Sequence, residues 1–437
     1  MAQSTPAGLR RAIGARPWLS GFTALCLGQF LGHQTGLAFS VLIPILSHDW
    51  RLSSSQAGAI LGVFQFGQLA AYVLVGFLLD RIRSKPLMVW SAALVGAGDL
   101  LFASAARSFT TGLAFRLLEG FLLGGLYVPA LKYIADTIPG ERRGRATGTF
   151  IAVLVAAYAS PLLYVGVLAP HFGWRATMAS AGVLELAGAL VVAAGVPDVP
   201  LRAARGVGGF AQYLGDVLRN RPARRLILAY TSHNWELFGM WGWMTPFMVA
   251  ALAAQGKAPA QALAWGGALA AAVIGIGGSL GAVAGGRLSD RLGRARAASL
   301  MLGASLLCSL GFGWLLRAPT PLLVAVGLIY GTAALADSPS YSASLMEVVP
   351  PRSLGGAFSV QMLFGWSATV VAPAVFGVTL DFVKAAHAGP AVAWAVAFGI
   401  LALGPGVALI ALAPLRAGDR AGRVEARRGR PAPSDLG

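Results

Sequence analysis

The chain has 437 residues, with 34 Lys+Arg against 17 Asp+Glu for a formal net charge of +17, and it is 56% hydrophobic but only 12% charged. Soluble domains are about 25% charged, and a mean hydropathy of +0.68 leaves more apolar surface than one or two globular cores can hide. A soluble enzyme, a disordered chain and a secreted disulfide scaffold are excluded, and an all-α polytopic membrane protein is expected.

A helix crosses the hydrocarbon layer with about 20 mostly apolar residues. Arg10, Arg11 and Arg16 precede the first apolar run, which has no small-residue cleavage site, so it reads as an uncleaved helix rather than a signal peptide. Six spans follow at 20–46, 56–79, 86–105, 110–137, 147–168 and 174–196. After an Arg- and Gly-rich stretch come six more, at 225–251, 266–288, 297–316, 322–346, 357–380 and 393–415. The expected organisation is an N-terminal bundle 1–196, a linker loop 197–224, a C-terminal bundle 225–415 and a basic, disordered tail 416–437. Cys26 and Cys308 lie in spans far apart in sequence, so no disulfide framework is expected.

The basic residues sit in short segments between apolar runs rather than on one soluble face, so they reflect membrane topology and not a nucleic-acid partner. With the N-terminus inside, 26 of the 34 Lys+Arg fall in cytoplasmic segments and 6 in the opposite loops, and Arg116 and Lys132 lie within a span. Both termini and the linker are therefore expected to be cytoplasmic.

The halves repeat. The segment Gly76 to Arg81 ends the second span and Gly286 to Arg294 ends the eighth, at an offset of 210. Pro139 and Pro350 follow spans four and ten at an offset of 211, and Pro161 and Pro373 lie in spans five and eleven at 212. Two motifs and a proline at nearly one offset imply two six-helix halves of parallel topology. Gly76-x-x-x-Asp80-Arg81 and Gly286-x-x-x-Asp290-Arg291-Leu292-Gly293-Arg294 are similar to the loop signature of the major facilitator superfamily. The second copy is complete, whereas the first has Arg83 and Ser84 where Gly and Arg are usual. Arg116-Leu117-Leu118-Glu119-Gly120 resembles the family's span-four element, with Glu119 in place of its neutral Gln.

That resemblance implies two six-helix bundles related by a pseudo-two-fold axis, a central cavity lined by spans one, four, seven and ten, and an inner gate. Asp80, Arg81, Asp290, Arg291 and Arg294 would form the gate, with Asp136 the partner of Arg81 and Glu347 that of Arg291 or Arg294. The alternative is that these arginines only anchor the loops. Ionisable groups within spans cost about 2.5–3.5 kcal/mol each at a helix centre. They are His33 in span one, Arg116, Glu119 and Lys132 in span four, His233 and Glu236 in span seven and Asp337 in span ten. Gln34 lies opposite Glu236 in the repeat. His233 and Glu236, three apart, can interact as a proton-binding pair or simply pin helices together. Glu236→Gln is expected to abolish proton-coupled movement.

Arg116 and Glu119 can neutralise each other, serve proton coupling as the resemblance implies, or offer an anion a guanidinium fork. Asp337, followed by Ser338 and Pro339, is a candidate proton or cation site. Lys132 is expected to snorkel and pair with Asp136 at i+4. Asp99 reads as interfacial, and Glu185 has no reading. Trp235, Trp241, Trp243 and Trp366 read as packing more readily than as cavity wall. The glycines 275, 277, 281 and 285 are no dinucleotide loop, having neither a preceding strand nor an acidic partner, and instead allow close helix contact.

A secondary transporter of a small solute is expected, proton-coupled, leaning to a small organic anion such as a monocarboxylate. Proton-coupled efflux of drugs or other amphipathic compounds is the alternative, and a non-transporting receptor a remote one. No enzyme activity, cofactor or metal is expected; the partners are the solute, protons and the lipid bilayer of a bacterial plasma membrane, and the protein is expected to be a monomer.

Overall fold

The computed structural model describes residues 17–79, 81–201, 210–350 and 353–428, and all its regular structure there is helical. Span one is α1 (Pro17–Gly32) and α2 (Thr35–Asp49), joined by a turn at His33 and Gln34. Spans two to four are α3 (Ser54–Leu78), α4 (Ser84–Ala105) and α5 (Phe109–Thr137). One continuous element, α6 (Gly140–Gly195), follows; its 56 residues would run about 84 Å as a straight helix, far beyond one bilayer crossing of about 30 Å. It breaks at Gly173, whose φ of 79° and ψ of 158° suit glycine alone. Among the described residues, eleven helices are long and apolar enough to cross a membrane, α6 among them. With α6 counted as two spans, the total is the twelve read from hydropathy.

The short α7 (Phe210–Arg219) falls inside the expected linker and leads into span seven, α8 (Arg221–Ala254). Span eight is α9 (Pro259–Ala271), a π-helical turn Ala272–Gly277 and α10 (Gly278–Leu292). Span nine is α11 (Arg294–Phe312) closed by a 3-10 turn Gly313–Arg317, and span ten is α12 (Thr320–Ala336) and α13 (Ser338–Val348). Span eleven is α14 (Leu354–Ala385), and span twelve is α15 (Pro390–Leu401) and α16 (Leu403–Arg428). In the segment from 416, expected to be a disordered tail, α16 continues to Arg428. Residues 429–437 of that tail and 202–209 of the linker lie outside the described residues.

Glycines set how closely these helices approach. A Cβ at Gly281 or Gly285 would collide with the carbonyl oxygens of Thr332 and Ala336, so α10 lies backbone to backbone on α12. The same device joins the two halves: Gly58 and Gly62 of α3 meet the carbonyls of Pro373 and Val370 on α14, and Gly267 of α9 meets that of Leu162 on α6. At the far end of α3, Gly76 has open space where a Cβ would stand. The halves are thus sealed at the end bearing Ser54, away from the basic loops. A single apolar cluster containing Phe39, Leu61, Trp243, Phe247 and Phe376 runs through that sealed region.

Candidate functional site

Between the halves lies a cavity of about 160 Å³ whose walls carry His33, Tyr72, Tyr127 and Tyr158 from the N-terminal half and Tyr230, His233, Trp241 and Trp366 from the C-terminal half. An aromatic chain forms much of this wall. It runs from His33 to Tyr158 (ring centroids 5.9 Å), then to Trp241 (5.8 Å), Phe238 (5.4 Å), Trp366 (5.3 Å), Tyr72 (5.1 Å) and Tyr127 (6.4 Å). These are tilted and edge-to-face spacings typical of aromatic pairs, and the chain crosses between the halves twice. The tryptophans divide by role. Trp243 stacks on Phe376 and its indole N–H donates to the Pro373 carbonyl at 2.9 Å, and that of Trp235 donates to Ile400 at 3.2 Å. Trp241 and Trp366 line the cavity. Among the described residues no Lys, Arg, Asp or Glu side chain does so.

His33 sits in the turn between α1 and α2, and its Nδ1 donates to the Gln29 carbonyl at 2.9 Å. Gln34 turns away from the cavity: its Nε2 donates to Phe30 at 2.5 Å and its Oε1 accepts from Ser160 at 2.9 Å. On the other wall, His233 Nδ1 lies 2.8 Å from Asp337 Oδ1. Asp337 is the single residue separating α12 from α13, where Pro339 denies the chain a continuous helix. Its second oxygen accepts from Tyr341 at 2.6 Å. The i, i+3 spacing that suggested a His233–Glu236 pair does not produce one as the hydrogen-bonding arrangement. Glu236 faces α11 and accepts from Ser305 and Ser309 at 2.6 Å each, with Ser309 also 2.8 Å from the Tyr330 hydroxyl.

Arg116 and Glu119 lie behind the cavity wall, inside the N-terminal half and fully buried. Their hub is Thr35, the first residue of α2. Its orphan N–H donates to Glu185 Oε1 at 2.8 Å, a side-chain cap at a positive helix terminus. Its hydroxyl donates to Asp99 at 2.9 Å and accepts from Arg116 Nη1 at 2.6 Å, and its carbonyl accepts from Arg116 Nη2 at 3.2 Å. Arg116 also pairs with Glu119 at 2.9 Å and lies 3.9 Å from the Phe64 ring centre. Asp99, expected at the interface, has no exposed surface because it is drawn into this cluster. Glu185, without a reading in the sequence, caps α2. A guanidinium engaged this way is not presented to a solute.

At the basic end Lys132 pairs with Asp136 at 2.7 Å, as its i+4 spacing suggested. Arg294 pairs with Glu347 at 2.9 Å. Arg83, the departure from the loop signature, pairs with Asp198 at 2.5 Å. None of these three pairs joins the two halves. Asp290 and Arg291 are exposed on the last turn of α10; Asp80 lies outside the described residues. Among the described residues, bonds between the halves are found at the other end, in residues that sequence reasoning passed over. Asp381 of α14 accepts from the backbone N–H of Ser54 at 3.0 Å and of Ser55 at 2.7 Å, and from the Ser55 hydroxyl. Lys384 Nζ donates to Ser54 Oγ at 3.0 Å, and Ser40 donates to the Gly242 carbonyl at 2.7 Å. An acid near a span end was the only sequence signal for Asp381.

A cavity between two sealed six-helix halves, with titratable groups in its wall, defines a membrane carrier. The Major Facilitator Superfamily profile matches residues 25–373, and the chain belongs to that family of secondary transporters. The chain is similar to the probable sulfoacetate transporter SauU of Cupriavidus necator, 25% identical over 53% of each chain. It is also similar to the putative niacin/nicotinamide transporter NiaP of Bacillus subtilis, 26% identical over 46% of this chain and 47% of the relative. Multidrug resistance protein MdtL of Escherichia coli is 29% identical over 38% of this chain and 44% of its own. The matched stretches thus span about half the length of these curated relatives, or less. The fold is shared with an inward-facing bacterial homologue of the human lysosomal transporter Spinster (TM-score 0.69, 17% identity, covering 96% of this chain and 100% of that one). The nucleoside transporter NupG is similar as well (TM-score 0.71, 14% identity, covering 90% and 98%).

Proposed function

We propose that this protein is a proton-coupled carrier of a small organic anion in a bacterial plasma membrane, with both termini cytoplasmic. The cavity would be reached from the basic, cytoplasmic end in the state described and closed outside by the Ser54 seal. The observation that carries the reading is the state of the two cavity imidazoles. A backbone carbonyl only accepts, so the bond from His33 Nδ1 to Gln29 puts a hydrogen on Nδ1. His233 Nδ1 faces the Asp337 carboxylate at 2.8 Å, an ion contact that favours a hydrogen on that nitrogen. The other ring nitrogen of each then donates to an anion only after taking up a proton. With no Lys or Arg among the described residues of the wall, an anion would bind together with a proton, which is the elementary requirement of symport.

Names of the relatives fit this reading unevenly: a probable sulfoacetate transporter and a putative niacin/nicotinamide transporter favour small anions or rings. Likeness to a multidrug resistance protein, with the aromatic wall, favours the second reading, efflux of amphipathic compounds. Purified protein in liposomes containing a pH-sensitive dye separates them. Under an applied solute gradient, small carboxylates are expected to acidify the lumen as they enter and lipophilic cations to leave it unchanged. Alkalinisation driven by lipophilic cations, with no response to carboxylates, would replace the first reading by the second, and no response to any solute would end the case for proton coupling.

A further inference from the structure

Taking the cavity as the transport site, we infer that the carried solute is a small, flat aromatic monocarboxylate. Three observations bear on this. The wall is an aromatic chain spanning both halves, with Tyr158 against Trp241 and Trp366 against Tyr72 at the two crossings. A planar ring entering between them gains stacked and edge contacts that a puckered ring of equal size cannot match. The cavity, at about 160 Å³, is smaller than the roughly 300–1,000 Å³ that holds drug-sized ligands, which favours a solute of one or two rings.

The polar groups specify what the ring carries. Trp366 Nε1 is buried and has no acceptor in the protein. A buried donor left unpaired is costly, and an acceptor oxygen brought to it by a solute in the adjoining cavity would satisfy it. A carboxylate supplies one oxygen for that N–H and another for a protonated imidazole of His33 or His233, both of which line the same cavity. A neutral aromatic would leave the imidazoles unused, and an aliphatic acid would leave the ring faces unused. The class follows from satisfying both sets at once.

The test is equilibrium dialysis of the purified full-length chain with radiolabelled benzoate, cyclohexanecarboxylate and benzamide. Benzoate is expected to bind about tenfold tighter than cyclohexanecarboxylate, the gain of one or two ring contacts, and tighter than benzamide. Trp366→Phe keeps a ring but removes the N–H, and is expected to weaken benzoate and cyclohexanecarboxylate alike by about tenfold, as for a lost bond to a charged group. Trp366→Leu is expected to erase the preference for benzoate. Equal affinity for benzoate and cyclohexanecarboxylate overturns the aromatic assignment, and benzamide equal to benzoate overturns the acid. No saturable benzoate binding by wild-type protein that elutes as a single monodisperse peak overturns both. Benzoate binding without any pH change in liposomes leaves this inference standing and removes proton coupling, whereas a pH change driven by aliphatic acids alone does the reverse.

Discussion

Thr35 shows what burial demands of a single residue. Its N–H, hydroxyl and carbonyl are claimed by Glu185, Asp99 and Arg116 from three different spans, and among the described residues of this cluster Arg116 is the one cation beside three acids, Asp99, Glu119 and Glu185. Removing one member of a buried charged set leaves the others uncompensated, at a cost of about 3–5 kcal/mol. Arg116→Ala is therefore expected to lower the midpoint of denaturant unfolding strongly, and Arg116→Lys to restore only part, since an ammonium cannot reach Thr35 and Glu119 as a fork does. An unchanged midpoint for Arg116→Ala would refute the hub role. Across the cavity, Asp337→Asn keeps an acceptor for Tyr341 but removes the charge beside His233. Solute uptake in this variant is expected to lose its response to an imposed pH gradient. Glu236 is bound to two serines away from the cavity wall, so Glu236→Gln is now expected to keep that response while losing stability. The reverse outcome in the two variants would return the proton site to Glu236.

At the scale of elements, a helix of one half is capped by a side chain of the other. The first N–H groups of α3 have no partner within their own helix, and Asp381 on α14 accepts two of them. Separation of the halves at this end must return these donors to water. Loss of a cap costs about 1 kcal/mol, so Asp381→Ala is expected to shift the equilibrium several-fold toward opening. The check is the labelling rate of a cysteine placed at Leu61 in a background lacking Cys26 and Cys308, using a thiol reagent that does not cross membranes. Faster labelling is the expected result; an unchanged rate would reduce Asp381 to a local cap. Three salt bridges described at the basic end, Arg83–Asp198, Lys132–Asp136 and Arg294–Glu347, do not join one half to the other.

Over the whole molecule, alternating access requires that the seal at the Ser54 end form and dissolve as a unit. Its backbone-to-backbone contacts at Gly58, Gly62 and Gly267 exist only because no Cβ intervenes. Gly62→Leu places a side chain against the Val370 carbonyl and is expected to hold that end open while each half remains folded. Uptake should fall to background, and the cysteine at position 61 should label at a rate no longer raised by Asp381→Ala. Normal uptake by Gly62→Leu would show that closure tolerates a spacer there. Packing of this kind is bistable rather than elastic, because close-packed interfaces resist intermediate separations.

The sequence by itself determined the membrane class, the twelve spans, the repeat and the family, because length, hydropathy and motif spacing are properties of the chain read in order. It also exposed the buried charges as exceptional, since each is costly in hydrocarbon wherever it points. Which charge meets which was decided only by tertiary structure. The i, i+3 spacing was met by Arg116 with Glu119 but overridden for His233, whose partner Asp337 is 104 residues away and is brought close by the break between α12 and α13. Likewise Glu185 caps α2 across 150 residues, and Asp381 caps α3 across 327. Helix periodicity fixes neighbours within one turn; contacts between spans depend on how helices pack, and that information is carried by shape rather than by spacing.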